Sequence, residues 1–174
     1  GLLIAIASRS DLPTSDRYAC ARRAGAWAQG LIADSLVEAE WSALARALGD
    51  VGEAAVGLDV YEARRAPARD RAATVEREEL KAWLLWKARR YEAARAAYRS
   101  LLLRDDGAAE KRAKERADYA LGLARAERGL HNFAESDTSF ALAAALDSAG
   151  STGETAAWER AREWEDRKAP EAAA

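Results

Sequence analysis

His131 is the only histidine in the chain and the side chain best suited to moving a proton or binding a metal near neutral pH. Alone, it would need a carboxylate cluster to complete a metal site. No HExxH pattern, glycine-rich phosphate loop or nucleophile elbow accompanies it. It stands in "RGLHNFAE" at the point where one helix pattern stops and the next begins, an ordinary place for a polar residue. Aspartates and glutamates are dispersed beside arginines along helix faces, an arrangement for solvation and surface pairing rather than for a paired acid and base. Cys20, the single cysteine, lies among alanines in "RYACARRAGAWA" and reads as a small interhelical residue, not a reactive thiol. One cysteine also rules out an internal disulfide and a cysteine-based zinc cluster. Arg17 and Tyr18 ahead of it do not match a lipid-attachment box. The chemistry of the residues therefore points to no catalytic group, no metal and no cofactor, and away from an enzyme.

Binding is the better use of these residues. Six tryptophans, Trp27, Trp41, Trp83, Trp86, Trp158 and Trp164, are the feature that most needs a reason. Trp83 and Trp86 stand three positions apart, about 300° around a helix, so both cannot enter one narrow seam. Lysine plus arginine number 27 against 29 acidic residues, a net charge of −2, and the charges interleave as in "EKRAKERAD". That balance lacks the basic excess or stripe of a nucleic-acid binder, so no nucleic acid is expected.

The elements that hold these residues are helical. At 174 residues the chain has enough length for a core without staples. Alanine, leucine, arginine and glutamate dominate it, and all are strong helix formers. The only strand-like stretch is "LLIAIA" at 2–7. Cap chemistry and glycine or proline breaks predict helices near 14–29, 32–48, 51–65, 69–87, 90–104, 107–129, 132–147 and 152–168. Capping boxes are expected at Asp50–Glu53, Asn132–Glu135 and Ser151–Glu154. Residues 1–13 form an apolar N-terminal segment, 14–169 a helical domain and 170–174 a tail that frays after Pro170. "GLLIAIAS" is too short to span a bilayer, which needs about 20 residues. It reads either as the end of a signal or anchor, or as an apolar strip packed on the helices. The anchor reading favours a membrane-associated or extracytoplasmic location, with residues 1–8 at the membrane.

Two segments repeat. Tyr91, Ala94, Tyr98 and Leu101 are matched by Phe133, Ser136, Phe140 and Ala143 at a constant offset of 42, and Asp34, Val37, Trp41 and Leu44 give a fainter copy. An aromatic, a small residue and an aromatic on one stripe let a neighbouring helix approach closely while rings fill the gaps. On these residues, with Leu121, Gly122 and Gly129 of "YALGLARAERG" supplying a first-helix half, residues 74–147 resemble the tetratricopeptide repeat. The period of 42 exceeds the family's about 34. Leu130 and His131 are extra in the turn, Ser136 replaces the usual alanine, and the closing proline is missing.

The resemblance implies an all-α fold of antiparallel helical hairpins stacked as a short tetratricopeptide-like solenoid, capped by the last helix with Trp158 and Ala161 facing inward. It implies a non-enzymatic scaffold or assembly subunit for protein partners. The first helices of each pair would line the groove. Trp83 or Trp86 would face it, with Glu79, Lys87, Arg116 and Tyr119 as polar neighbours, while Trp164 stays exposed for another subunit. An accessory subunit anchored to a membrane complex, and a small helical ligand-binding or enzymatic bundle, are the alternatives.

Overall fold

The computed structural model describes residues 2–7, 9, 11–30, 38–64, 67–104 and 109–172. Every regular element among the described residues is an α-helix. The chain divides into two compact units, Gly1–Arg90 and Tyr91–Ala174. The first holds α1 (Leu2–Ala7), α2 (Thr14–Gly30), α3 (Glu38–Asp50), α4 (Ala54–Ala63) and α5 (Arg71–Lys87). The second holds α6 (Tyr91–Leu102), α7 (Ala109–Gly129), α8 (Phe133–Leu146) and α9 (Ser151–Ala172). The division falls in the turn that follows Lys87 and precedes Tyr91. The start of the helix expected at 32, Asp34 and Val37 of the faint copy, the break at 105–107 and the side chain of Trp27 lie outside the described residues.

"LLIAIA" is helical, not extended. All six of its residues are apolar, and a helix brings Ile4 and Ala7, three apart, to one side, where they are buried as α1 packs on α2 and α3. Arg17 Nε on α2 donates to the Ala7 carbonyl at 3.1 Å and satisfies one terminal acceptor of this short helix. No helix among the described residues is long and apolar enough to cross a membrane.

Three helix ends share one turn. Gly52, Arg89 and His131 have φ of +91°, +58° and +62°. After each, the following amide reaches back five residues: Glu53 to Leu48 at 2.8 Å, Arg90 to Leu85 at 2.9 Å and Asn132 to Glu127 at 2.9 Å. This left-handed C-terminal turn satisfies terminal carbonyls and starts the next helix two residues later, at Ala54, Tyr91 and Phe133. The turns at Arg89 and His131 lie 42 residues apart, the offset of the aromatic stripes. The lone histidine therefore has a backbone role, in a conformation that favours glycine and tolerates histidine better than most residues. His131→Gly should remove that strain and stabilise the domain by up to about 1 kcal/mol, measured by chemical denaturation. An unchanged or lower midpoint would show that the His131–Phe133 edge contact at 5.7 Å outweighs it.

The capping boxes expected from sequence do not form at any of the three sites. Glu53 and Asn132 occupy the N-caps of α4 and α8 without a side-chain cap bond, because the left-handed turn already fixes the chain entry. Asn132 Nδ2 turns away and donates to Glu127 Oε2 at 2.8 Å. Asp70 caps α5 by accepting from the Ala73 amide at 2.9 Å. At α9, Asp147 accepts from the Thr152 amide at 3.1 Å, in place of the expected Ser151. α9 also continues through Pro170 to Ala172.

In the second unit the expected stripes face inward. Ala94, Tyr98 and Leu101 on α6 are buried and Ala93 is exposed. α6 runs antiparallel to α7 with its rings seated on glycines. A Cβ at Gly122 would overlap the Tyr98 ring, and one at Gly129 would lie 2.7 Å from Tyr91. Phe140 and Ala143 of α8 close a core with Ala120, Leu121 and Ala124 of α7 and Ala156 of α9.

α9 is inverted relative to expectation. Trp158 is 61% exposed and Ala161 is exposed, while Thr152, Ala156, Glu159 and Glu163 form the buried face. The reason is what lies beneath. Arg125 and Arg128 of α7 both bind Glu159, with Arg128 at 2.9 Å. Glu163 Oε2 lies 2.9 Å from the Ser136 hydroxyl, which is also 3.1 Å from the Ala124 carbonyl and donates its one hydrogen to either. α7 presents cations and α8 a hydroxyl, so the helix that covers them turns its carboxylates inward.

Candidate functional site

In the first unit a cleft of about 390 Å³ opens between α3 and α5. Its floor is apolar, formed by Trp41, Ala47 and Leu80. Along one wall run Glu38, Ser42, Arg46 and Asp50, spaced four apart on the side of α3 next to its buried Trp41–Leu44–Leu48 stripe. Glu76, Arg77 and Glu79 of α5 supply the facing wall. Four carboxylates against two guanidiniums give the lining an acidic excess of two (4 − 2).

The floor is held rigidly. Trp41 Nε1 donates to the Val60 carbonyl at 2.9 Å, and its ring lies 5.2 Å from that of Tyr61. The guanidiniums of Arg64 and Arg77 stand 5.4 Å and 5.3 Å from the Trp41 ring centre. The same two arginines bind Glu38. Arg77 donates through two nitrogens, each at 2.6 Å, and Arg64 approaches to 3.2 Å. This fork-on-fork pairing locks the N-terminal end of the cleft. Burial pushes the Tyr61 phenol upward.

The hydrogen bond from Arg77 holds the Glu38 carboxyl below its ordinary range, against desolvation and with the Arg77 and Arg64 charges assisting. A carboxyl depressed on folding contributes stability that is fully present above its unfolded value of about 4.3 and is lost as pH falls through the folded value. Glu38→Gln should therefore lower the denaturation midpoint at pH 7, and the gap to the parent should close toward pH 3. A gap that persists unchanged at pH 3 would contradict the ion pair.

The residues picked from sequence as partner contacts divide between the units. Trp83, Trp86 and Lys87 come together on α5, with Lys87 Nζ 5.4 Å and 5.5 Å from the two ring centres. Trp83 is half-buried. Its ring covers Gly49, where a Cβ would overlap it, and the Arg46 guanidinium lies 5.5 Å from its centre. Arg46 thus links the cleft to Trp83. Trp86 is half-buried and Lys87 exposed. In the second unit Arg116 and Trp164 are exposed, whereas Tyr119 is buried in α7. Glu79, read as a polar neighbour of the groove, does line the cleft.

Sequence reasoning passed over Arg46, Asp50 and Glu76. The four-residue spacing of Glu38, Ser42, Arg46 and Asp50 is visible in the chain and marks one edge of a helix. Nothing in the sequence says that α5 stands opposite with a second polar edge. Among the described residues no group of three or more histidines, cysteines, aspartates or glutamates is placed to hold a metal ion. Comparison of the chain with known protein families, curated proteins and solved structures found no match.

Proposed function

We propose that the chain is a non-enzymatic protein-interaction module, a subunit of a larger assembly. It holds a partner segment that is basic at its edges and apolar at its centre in the α3–α5 cleft. The observation that carries this reading is the cleft itself. Its volume of about 390 Å³ lies within the range of binding pockets, its floor is apolar and its walls carry an acidic excess. An apolar side chain of the partner would cover the floor, of which Trp41 and Leu80 expose only an edge, and lysine or arginine beside Asp50, Glu76 and Glu79 would supply most of the contact and fix orientation. Trp83, banked against Gly49 and Arg46, extends the surface at one end.

The resemblance to tetratricopeptide hairpins belongs to the same proposal. It rests on the aromatic stripes of the sequence, whose Tyr98 and Phe140 are buried. The test is a selection from a random peptide library displayed on phage, with the whole chain as bait. The proposal expects enrichment of peptides with arginine or lysine flanking one or two large apolar residues. Selection of acidic peptides, or of none above background, would contradict it.

A further inference from the structure

The outward face of α9 carries two large aromatic side chains in water. Trp158 and Trp164 are 61% and 53% exposed, and Arg162 and Lys168 lie over their rings at 5.4 Å and 3.5 Å. Tryptophan is enriched among the residues that dominate binding at protein interfaces. At about 100° per residue, Ala161 stands at the middle of this face, with Trp158 about 60° to one side and Trp164 about 60° to the other. Glu154 and Lys168 lie two turns before and after Ala161, each about 20° from the centre line. All five are exposed.

We propose that this face binds a second copy of the same chain, α9 against α9, antiparallel, with the two-fold axis passing between the two Ala161 residues. The charge pattern selects both occupant and direction. In an antiparallel pair centred on residue 161, Glu154 stands opposite Lys168 of the second copy (154 + 168 = 2 × 161), and the contact occurs twice. A parallel pair would set Glu154 against Glu154 and Lys168 against Lys168. Trp164 of one copy comes level with Trp158 of the other, on the flank where Ala157 leaves room for an indole. Trp158 falls beside the aliphatic stem of Glu165 on the other flank. Alanine at the axis lets the helices approach closely. The contact is isologous, so it closes as a dimer and does not propagate. One helix pair makes a small interface, and the dimer forms in the micromolar range.

Sedimentation of the full chain from about 1 to 100 µM tests this. The parent should pass from monomer to dimer across that range. Ala161→Arg should remain monomeric throughout. Glu154→Lys and Lys168→Glu should each weaken dimerisation tenfold or more. An equimolar mixture of those two variants should dimerise within about threefold of the parent, because every cross-pair then joins opposite charges. Circular dichroism melts of these exposed-face variants should match the parent. A parent that stays monomeric at 100 µM, a dimer indifferent to Ala161→Arg, or a mixture no tighter than its components would each overturn the proposal.

Discussion

Replacing Gly122 with leucine is expected to cost about 3 kcal/mol and to lower the melting temperature by roughly 6–12 °C. The Tyr98 ring rests on Gly122 so closely that even a methyl group there would overlap it, and both residues are buried. The ring cannot swing aside, because Ala94 and Leu101 on either side of it along α6 are buried as well. Ala94→Trp should be as damaging, since it drives an indole into the same seam. Ala93→Trp points into water and should leave the melt within about 1–2 °C of the parent. Equal melting of the two alanine variants would break the register of α6 on α7.

On α9 the usual ranking of aromatic and charged truncations should be reversed. Glu159→Ala is expected to cost about 2–3 kcal/mol, and Trp158→Ala less than about 0.5 kcal/mol. Glu159 is buried and accepts from Arg125 and Arg128, the bond from Arg125 Nε measuring 3.0 Å. Its loss leaves two guanidiniums in a partly desolvated seam. The cost stays below the roughly 3–5 kcal/mol of a fully buried pair because the Arg125 and Arg128 side chains keep 25% and 36% of their exposure. Trp158 gives up little on truncation because most of its ring is already in water. Dilute protein and a denaturant titration would read the difference. A larger loss for Trp158→Ala would mean that the tryptophan faces the core after all.

α6 and α8 show where sequence was sufficient, and α9 where it was not. On α6 and α8 the stripe could be read directly, since aromatic and small residues recur at helical spacing on a charged background. Tyr98, Ala94, Phe140 and Ala143 are buried as that pattern requires. The approximate helix spans also followed, because glycine, proline and cap residues are local signals. α9 misled because burial of a tryptophan is a default that holds only when its neighbours are apolar. The decisive fact is that Arg125 and Arg128 of α7 face it, and that is a tertiary fact. The turns at Arg89 and His131 were hidden for a related reason. Neither residue is the glycine that normally announces a left-handed helix end. The hydrogen bonds of the turn to Leu85 and Glu127, rather than the local sequence, hold it. The cleft had one legible edge, the α3 row ending at Asp50, and one illegible one.

The most direct test of the central claim is the affinity of a library-selected peptide for three forms of the chain, measured by titration calorimetry. They are the parent, the Asp50→Arg/Glu76→Arg double variant, and Arg116→Glu as a charge change at a residue that does not line the cleft. Asp50 and Glu76 are exposed, so the double variant should melt with the parent. Reversing two rim charges beside a basic ligand should weaken binding by tenfold or more, and Arg116→Glu should leave it within about twofold. Undiminished binding to the double variant, with its fold intact, would place the partner elsewhere and contradict the role given to the α3–α5 cleft.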